Sequence, residues 1–222
     1  MVSCSAVTKV YATERGKIEA VKGIDLAVPR GQFAAVVGRS GSGKSSLLAM
    51  IGGLSRPTTG RVEVEDTDIW ALPDGGRAQF RNRRIGFVFQ FPSLLPTLRV
   101  VDNVALPALL GPDRDVARAY AQASDLLVQL GLADHMDAYP AEISAGEQRR
   151  VVIARALINA PSLLLADEPT SDLDEETERG IMEQFRAMNC ERGVTVIMVT
   201  HNLRLAEQAE RIVHIADGRL AA

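Results

Sequence analysis

One segment of eight residues constrains this chain more than any other, and it reads Gly38-Arg39-Ser40-Gly41-Ser42-Gly43-Lys44-Ser45. Its glycines allow a sharp bend and bring backbone N–H groups against an anion, which a side chain would hold away. The apolar run from Phe33 to Val37 predicts a buried strand before the loop, and a helix is expected from Lys44 to Ile51 after it. Because a helix N-terminus favours negative charge, strand, loop and helix together predict a phosphate site rather than a Gly/Ser surface loop.

The loop has the pattern GxxxxGK[ST], in which the lysine and the hydroxyl after it have separate tasks. Lys44 is expected to reach the β- and γ-phosphates of a nucleotide, and Ser45 is expected to bind Mg²⁺. Ser46 follows directly and is counted with residues 38–45 in the predicted nucleotide-binding set.

Two carboxylates come directly after a second apolar run, Leu163 to Ala166. If that run is a strand of the same sheet, Asp167 and Glu168 lie at the edge where the phosphate loop lies. Asp167 would then hold Mg²⁺, and Glu168 would orient or deprotonate the attacking water. An acidic pair after a strand is also typical of the first turn of a helix, and that structural role is the alternative.

Strands and helices alternate in the second half of the chain, which favours a largely parallel α/β sheet. Apolar residues from Val116 to Leu130 recur at helical spacing, so a helical insertion is expected between Val100 and Leu132. A helix is expected from about Glu175. The other predicted strands are Ser3 to Tyr11, Ala20 to Val28, Arg61 to Val64, Ile85 to Phe89, Val194 to Val199 and Ile212 to Ile215.

Composition excludes several classes of partner. The formal net charge is −3 and aromatic residues make up 5%, so neither a basic field nor base stacking favours nucleic acid. Two cysteines are too few for a disulfide framework and fit a reducing compartment. No apolar run approaches the ~18–20 residues that span a bilayer, so a membrane role would require a partner.

A third motif separates this chain from other phosphate-loop proteins: Ile143-Ser144-Ala145-Gly146-Glu147-Gln148-Arg149-Arg150 resembles the LSGGQ signature of ABC ATPases. Ser144 and Glu147 also form a capping box, which alone would only start a helix, and both roles are compatible. Further resemblances fall in family order over nearly the whole chain. They are Tyr11, the phosphate loop, Gln90, the pair Asp167-Glu168, the segment Ser171-Asp172-Leu173-Asp174, and His201.

The resemblance implies a single ABC ATPase domain over residues 1–222. Its core would be a mostly parallel sheet, with an antiparallel β subdomain and a helical subdomain at about residues 92–158. It also implies a head-to-tail homodimer with two sandwiched ATP molecules, in which each signature covers the γ-phosphate bound by the other copy. Such a dimer needs only one sequence, because a two-fold interface is isologous.

By resemblance, Tyr11 stacks on adenine, Gln90 contacts Mg²⁺ or the attacking water, and His201 hydrogen-bonds the γ-phosphate. Glu168, His201 and Gln90 form the predicted catalytic set, and Ser45, Gln90 and Asp167 the predicted metal set. His135 and His214 lie outside every family motif, and we expect structural roles for them. The residues expected to contact nucleotide across the dimer are Ser144, Ala145, Gly146, Glu147 and Asp174.

Within the family, the chain resembles the lipoprotein-releasing and macrolide-exporter group. The segments that carry this are Arg83 to Gln90, Leu94 to Leu98, Asn103-Val104, Leu106-Pro107, and Ala166 to Thr170. The group's ATPases work on a separate permease, which implies a cytoplasmic subunit at the inner face of the membrane. The alternatives are an importer ATPase and a cell-division-type ATPase.

Three positions depart from the family pattern. Ala145 replaces a glycine, Asp172 a small or amide residue, and Asn202 an aspartate. These departures leave the predicted catalytic residues in place.

Overall fold

The computed structural model describes residues 1–14, 16–111, 114–171 and 173–221, and the strands of those residues form two sheets. The larger sheet has six strands: β3 (Phe33–Val37), β6 (Ile85–Val88), β7 (Leu163–Asp167), β8 (Thr195–Thr200), β9 (Arg211–Ala216) and β10 (Arg219–Leu220). Their order is β10-β9-β3-β8-β7-β6, and every pair is parallel except β9 with β10. The predicted α/β class with a mostly parallel sheet is therefore confirmed.

The smaller sheet is antiparallel and contains the N-terminal strands. Its members are β1 (Val2–Thr13), β2 (Gly16–Val28), β4 (Thr59–Val64) and β5 (Thr67–Asp68), in the order β2-β1-β4-β5. Buried residues of β1 and β2 pack toward the large sheet, and the outward residues are mostly exposed. This alternation is what a sheet with one solvated face requires.

Helices cover both faces of the large sheet. They are α1 (Lys44–Ile51), α2 (Asp74–Arg84), α3 (Val100–Leu109), α4 (Val116–Gln129), α5 (Ala145–Leu157), α6 (Glu175–Arg192) and α7 (Leu203–Ala206). Residues of β3 alternate between two cores: Phe33, Ala35 and Val37 pack with α3 to α6, and Ala34 and Val36 pack with α1 and the small sheet. Because both faces are covered, β3 and β8 are buried along their whole length, which explains their continuous apolar runs.

The structure agrees with the predicted bounds of β3 and α1 and extends most other strands by one to four residues at an end. The expected helical insertion contains two helices, α3 and α4, and the range 92–158 also contains α5. Four elements were not predicted from the sequence: α2, which has no buried residue, α7, and the short strands β5 and β10. Across the described ranges no helix is both long and apolar enough to cross a membrane.

Candidate functional site

The phosphate loop joins the end of β3 to the start of α1, and its glycines are required by close approach. A Cβ atom on Gly38 would lie 2.1 Å from the carbonyl oxygen of Ile215, and one on Gly43 would lie 2.1 Å from that of Ala20. Gly41 and Gly43 have φ of 77° and 102°, in the left-handed region that favours glycine. The bend therefore depends on these glycines, as the sequence predicts.

Lys44 is the buried cation of the loop. Its Nζ donates hydrogen bonds to the carbonyl oxygens of Gly38, at 2.8 Å, and Arg39, at 3.0 Å, while its side chain is buried. The ammonium group thus lies inside the curve of the loop, where backbone N–H groups and a positive charge act on the same space. This arrangement suits an anion with several oxygens.

The carboxylates at the end of β7 lie beside this loop. Ser45 Oγ donates to Asp167 Oδ1 over 3.1 Å, which joins the start of α1 to the end of β7. Burial raises the pKa of Asp167 above its usual value, and the neighbouring Glu168 raises it further, while the Ser45 bond and Lys44 lower it. Two carboxylates and a hydroxyl therefore form a small oxygen-rich cluster.

Glu168 is held in an unusual backbone conformation. Its φ is 45°, which is left-handed for a residue with a side chain, and its N–H donates to the carbonyl of Val199 over 2.9 Å. Such strain clusters at functional sites, where surrounding contacts maintain it. Glu168 Oε2 lies 3.0 Å from Nδ1 of His201, the first residue after β8. The ends of the neighbouring strands β7 and β8 therefore place a carboxylate and an imidazole in contact.

Gln90 follows β6 and completes the same edge of the sheet. Arg149, on α5, fixes this segment by donating to the carbonyl oxygens of Phe89 and Gln90, both at 2.6 Å. Arg149 is buried, and the sequence analysis did not single it out. In the sequence, the available signal was its position just before the apolar run Val151-Val152-Ile153 in a predicted helix.

A cavity of about 600 Å³ brings these elements together. Its lining consists of Ala20, Ser40, Gly41, Gly43, Lys44, Ser45, Ser46, Gln90, Glu168 and His201. Ala20 is the one lining residue of this cavity that was not predicted from the sequence, and it belongs to β2, so the small sheet forms one wall. Gly38, Arg39 and Ser42 do not line this cavity but line a second cavity of about 520 Å³, which shares Ser40 and Gly41 with the first.

Tyr11 lies at the rim on the small sheet. Its hydroxyl is 3.2 Å from Ser46 Oγ, and Lys9 Nζ lies 4.9 Å from the centre of its ring. The ring is partly exposed, at 36%, so it is not the core aromatic that was the alternative. It is available to stack on a planar group in the cavity.

The signature segment forms the start of α5 and does not line the phosphate-loop cavity. Ser144 is the N-cap, and its Oγ accepts from Glu147 N over 3.3 Å. Glu147 Oε2 accepts from both the N–H and the hydroxyl of Ser144 at 2.7 Å, and the hydroxyl bond and then the backbone bond lower the pKa of Glu147. Ala145 is an exposed first helical residue, while a Cβ on Gly146 would lie 2.8 Å from Thr177 Cγ2.

Asp174, also predicted to contact nucleotide, is the N-cap of α6. It accepts hydrogen bonds from the N–H groups of Glu176 and Thr177 and from the Thr177 hydroxyl, and the Thr177 backbone bond is the main cause of its lowered pKa. It does not line the phosphate-loop cavity either.

Two other positions depart from the family pattern. Asp172 lies outside the described residues, and Asn202 caps α7 by accepting a hydrogen bond from Arg204 N.

This combination of parallel sheet, phosphate loop and strand-end carboxylates defines a phosphate-loop nucleotide-hydrolysing protein. Residues 21–171 match the family model for the ABC transporter. The lipoprotein-releasing system ATP-binding protein LolD of Syntrophotalea carbinolica is 42% identical over 220 residues, covering 99% of this chain and 96% of that protein. The chain therefore belongs to the ABC transporter family, as an ATP-binding subunit, and is an ATPase.

Two further comparisons bear on branch and assembly. The methionine import ATP-binding protein MetN of Bradyrhizobium diazoefficiens is 44% identical over 220 residues, covering 98% of this chain and 63% of that protein. A dimeric ATP-binding cassette in a post-hydrolysis state, bound to ADP and Pi, superposes with a TM-score of 0.93 at 37% identity, covering 100% of this chain and 97% of that one. The resemblance to the lipoprotein-releasing group is confirmed, and the family's ATP-binding role is shown.

Proposed function

We propose that this ATPase works as a head-to-tail homodimer that drives a separate membrane permease of the lipoprotein-releasing type. One observation supports the dimer. Ser144 and Ala145 are exposed and lie apart from the phosphate-loop cavity of their own chain, although Ser144 begins a helix whose N–H groups suit an anion. In a dimer, the phosphate of a nucleotide bound by the second copy would be that anion. A dimeric cassette among the similar solved structures supports this.

In this proposal ATP is bound by the backbone of residues 38–43 and by Lys44, with adenine on Tyr11. Glu168 orients the attacking water and takes its proton, a role supported by its place in the cavity lining beside Lys44 and Ser45. His201 contacts the γ-phosphate through Nε2, and its Nδ1, 3.0 Å from Oε2 of Glu168, positions that carboxylate. The Ser144 to Glu147 turn and Asp174 of the partner close the site from the other side.

The residues present also suit Mg²⁺. Ser45 and Asp167 are oxygen ligands already 3.1 Å apart, and the raised pKa of Asp167 reflects a desolvated carboxylate that a cation would stabilise. Ser45, Asp167 and Gln90 would hold the ion together with phosphate oxygens. When bound, Mg²⁺ would neutralise charge that develops on the phosphates.

The permease site is proposed at a surface cavity beside the nucleotide site. Leu54, Phe89 and Leu110 line this cavity of about 870 Å³ between α2, β6, α3 and α5, together with polar residues that include Arg81, Arg114 and Arg155. Exposed apolar residues, among them Leu110 at 68%, rimmed by polar side chains favour a protein partner. Because Phe89 precedes Gln90, such a partner would contact the segment that leads into the nucleotide site. The ATPase would then be cytoplasmic and peripheral on the inner face of the membrane.

The catalytic assignment is tested by ATP turnover of Glu168→Gln. We expect a loss of about 10²–10⁴-fold with ATP binding retained, because the amide cannot accept the proton of water. Glu183→Gln, an exposed change on α6, is the matched control and should retain activity. Turnover within threefold of wild type in Glu168→Gln would contradict the assignment.

Import remains the second candidate function, since the methionine import relative is 44% identical. A cell-division-type role would instead be regulatory. These alternatives are separated by reconstituting the chain in membrane vesicles with a candidate permease of each type. ATP-dependent release of a lipoprotein from the membrane would support the proposal. Uptake of a small solute would support import, and stimulation of a periplasmic enzyme would support the cell-division type.

A further inference from the structure

A histidine outside the nucleotide site, His135, contacts the signature segment. His135 ends a single 3-10 turn, Ala133–His135, that comes shortly before α5. Its Nε2 atom lies 3.2 Å from Oε1 of Glu147, the fifth residue of the signature segment. Both side chains are partly exposed, so the contact is accessible to solvent protons.

Glu147 divides its two carboxylate oxygens between different partners. Oε2 accepts from the N–H and from the hydroxyl of Ser144, both at 2.7 Å, while Oε1 faces His135. A serine hydroxyl has one hydrogen. In the described conformation that hydrogen is directed to Glu147, and it must be released before Ser144 can donate to a phosphate.

The charge of Glu147 is the second consequence. The Ser144 bonds lower its pKa, so the carboxylate is ionised at neutral pH. In the proposed dimer this negative group would lie beside the γ-phosphate of the partner's ATP, and like charges repel. The charged groups that act on Glu147 are His135, from the preceding turn, and Arg150, from α5 itself. Glu142, in the intervening turn, uses its carboxylate to accept from Tyr139 N.

We propose that His135 is a positioning residue for the signature: when protonated, it draws Glu147 toward itself, neutralises it, and frees the Ser144 hydroxyl for the partner's phosphate. This rests on the proposed head-to-tail dimer. It replaces the structural role expected for His135 from the sequence. Histidine changes charge between about pH 5 and pH 8, so closure of the dimer should be favoured at the acidic end of that range.

The test measures ATP-driven dimerisation in a Glu168→Gln background, in which slow hydrolysis leaves the ATP-bound dimer intact during the measurement. The dimer dissociation constant is determined with ATP at pH 6 and pH 8 by analytical ultracentrifugation. Three chains are compared: the Glu168→Gln parent, the parent with His135→Arg, and the parent with His135→Gln. All three retain His201, so its titration cancels when the chains are compared at one pH.

The arginine variant keeps a positive charge at both pH values and the glutamine variant has none. At pH 6 we expect the parent to have the same dimer dissociation constant as His135→Arg. At pH 8 each of the two sites in the parent should contribute about two- to fivefold less to dimer affinity, which is the range of an exposed ion pair. His135→Gln should dimerise weakly at both pH values. In a Glu147→Gln background, the difference between His135 and its arginine variant should disappear.

Asp134→Asn is the matched control, because it adds the same unit of charge one residue away and Asp134 is exposed. It should leave the pH dependence of dimerisation unchanged. Equal pH dependence in the parent and His135→Arg would overturn the role of His135. A parent that stays monomeric with ATP would instead overturn the dimer, so the two failures are distinguishable.

Discussion

Lys44 offers a prediction whose size follows from its contacts. An ammonium group carries three N–H donors, and two of them are directed to the carbonyl oxygens of Gly38 and Arg39. One donor and the full positive charge therefore remain for phosphate without rearrangement of the loop. Lys44→Ala removes the charge, the free donor and the two bonds that hold the curve of the loop.

Each hydrogen bond to a charged group contributes about 1.5–3 kcal/mol. The one free donor of Lys44 therefore predicts a loss of about 1.5–3 kcal/mol in binding free energy. At about 1.4 kcal/mol per factor of ten, the dissociation constant for ATP should rise about 10- to 150-fold. The free energy of unfolding should change by only about 1 kcal/mol, because the two carbonyl groups can then bond to water.

The assay is a calorimetric titration of the chain with ATP and Mg²⁺, accompanied by urea unfolding of the same preparations. Lys17→Ala is the control, since Lys17 is exposed on β2 and lies outside the cavity. A Lys44→Ala chain that binds ATP within threefold of wild type would refute the reasoning, and a chain that fails to fold would refute the small stability change.

Ala145→Gly should change the free energy of unfolding by less than about 1 kcal/mol, because the methyl group is exposed at the first position of α5, while ATP-driven dimerisation should be equal or tighter in ultracentrifugation. Asp174→Ala should lower the melting temperature at pH 7. The pKa of Asp174 is lowered in the folded chain, so the difference should vanish as pH falls through that pKa, and melting curves at pH 7 and pH 2.5 check this. Gly86→Ala should lower the free energy of unfolding by about 1–3 kcal/mol, because its Cβ would lie 2.5 Å from a backbone carbonyl oxygen of α5. Gly180→Ala on α6 would meet no atom within 4 Å and should raise the free energy of unfolding by about 0.5–1 kcal/mol. Urea unfolding measures both changes.

Elements that are buried on both faces were the most predictable. The strand β3 and helix α1 have the predicted bounds because an apolar run and a glycine-rich loop define their ends in the sequence itself. Helix α2 was missed for the opposite reason: it has no buried residue, its sequence contains Arg77, Arg81, Arg83 and Arg84, and it begins after Pro73 rather than a capping side chain. Apolar periodicity cannot detect a helix without an apolar face.

The site was predictable in its composition and less so in its geometry. Spacing along the chain indicated which residues would gather at the sheet edge, because parallel strands end there. The left-handed backbone of Glu168 and the bonds from Arg149 to the Gln90 segment depend on contacts between residues far apart in the sequence. The capping role of Asp174 is local, because its partners lie within three residues at the start of α6. A structural role was expected for His135 because no motif contains it, and the role proposed for it above rests on its distance to Glu147.

The central claim is that one ATP site is built from two copies of this chain. The direct measurement is the molecular mass of Glu168→Gln by light scattering, with and without ATP, beside the double variant that adds Ser144→Arg. The account predicts that ATP doubles the mass of Glu168→Gln, while the double variant binds ATP and stays monomeric because the arginine blocks the signature. A double variant that dimerises with ATP as readily as its parent, or a parent that stays monomeric, would contradict it.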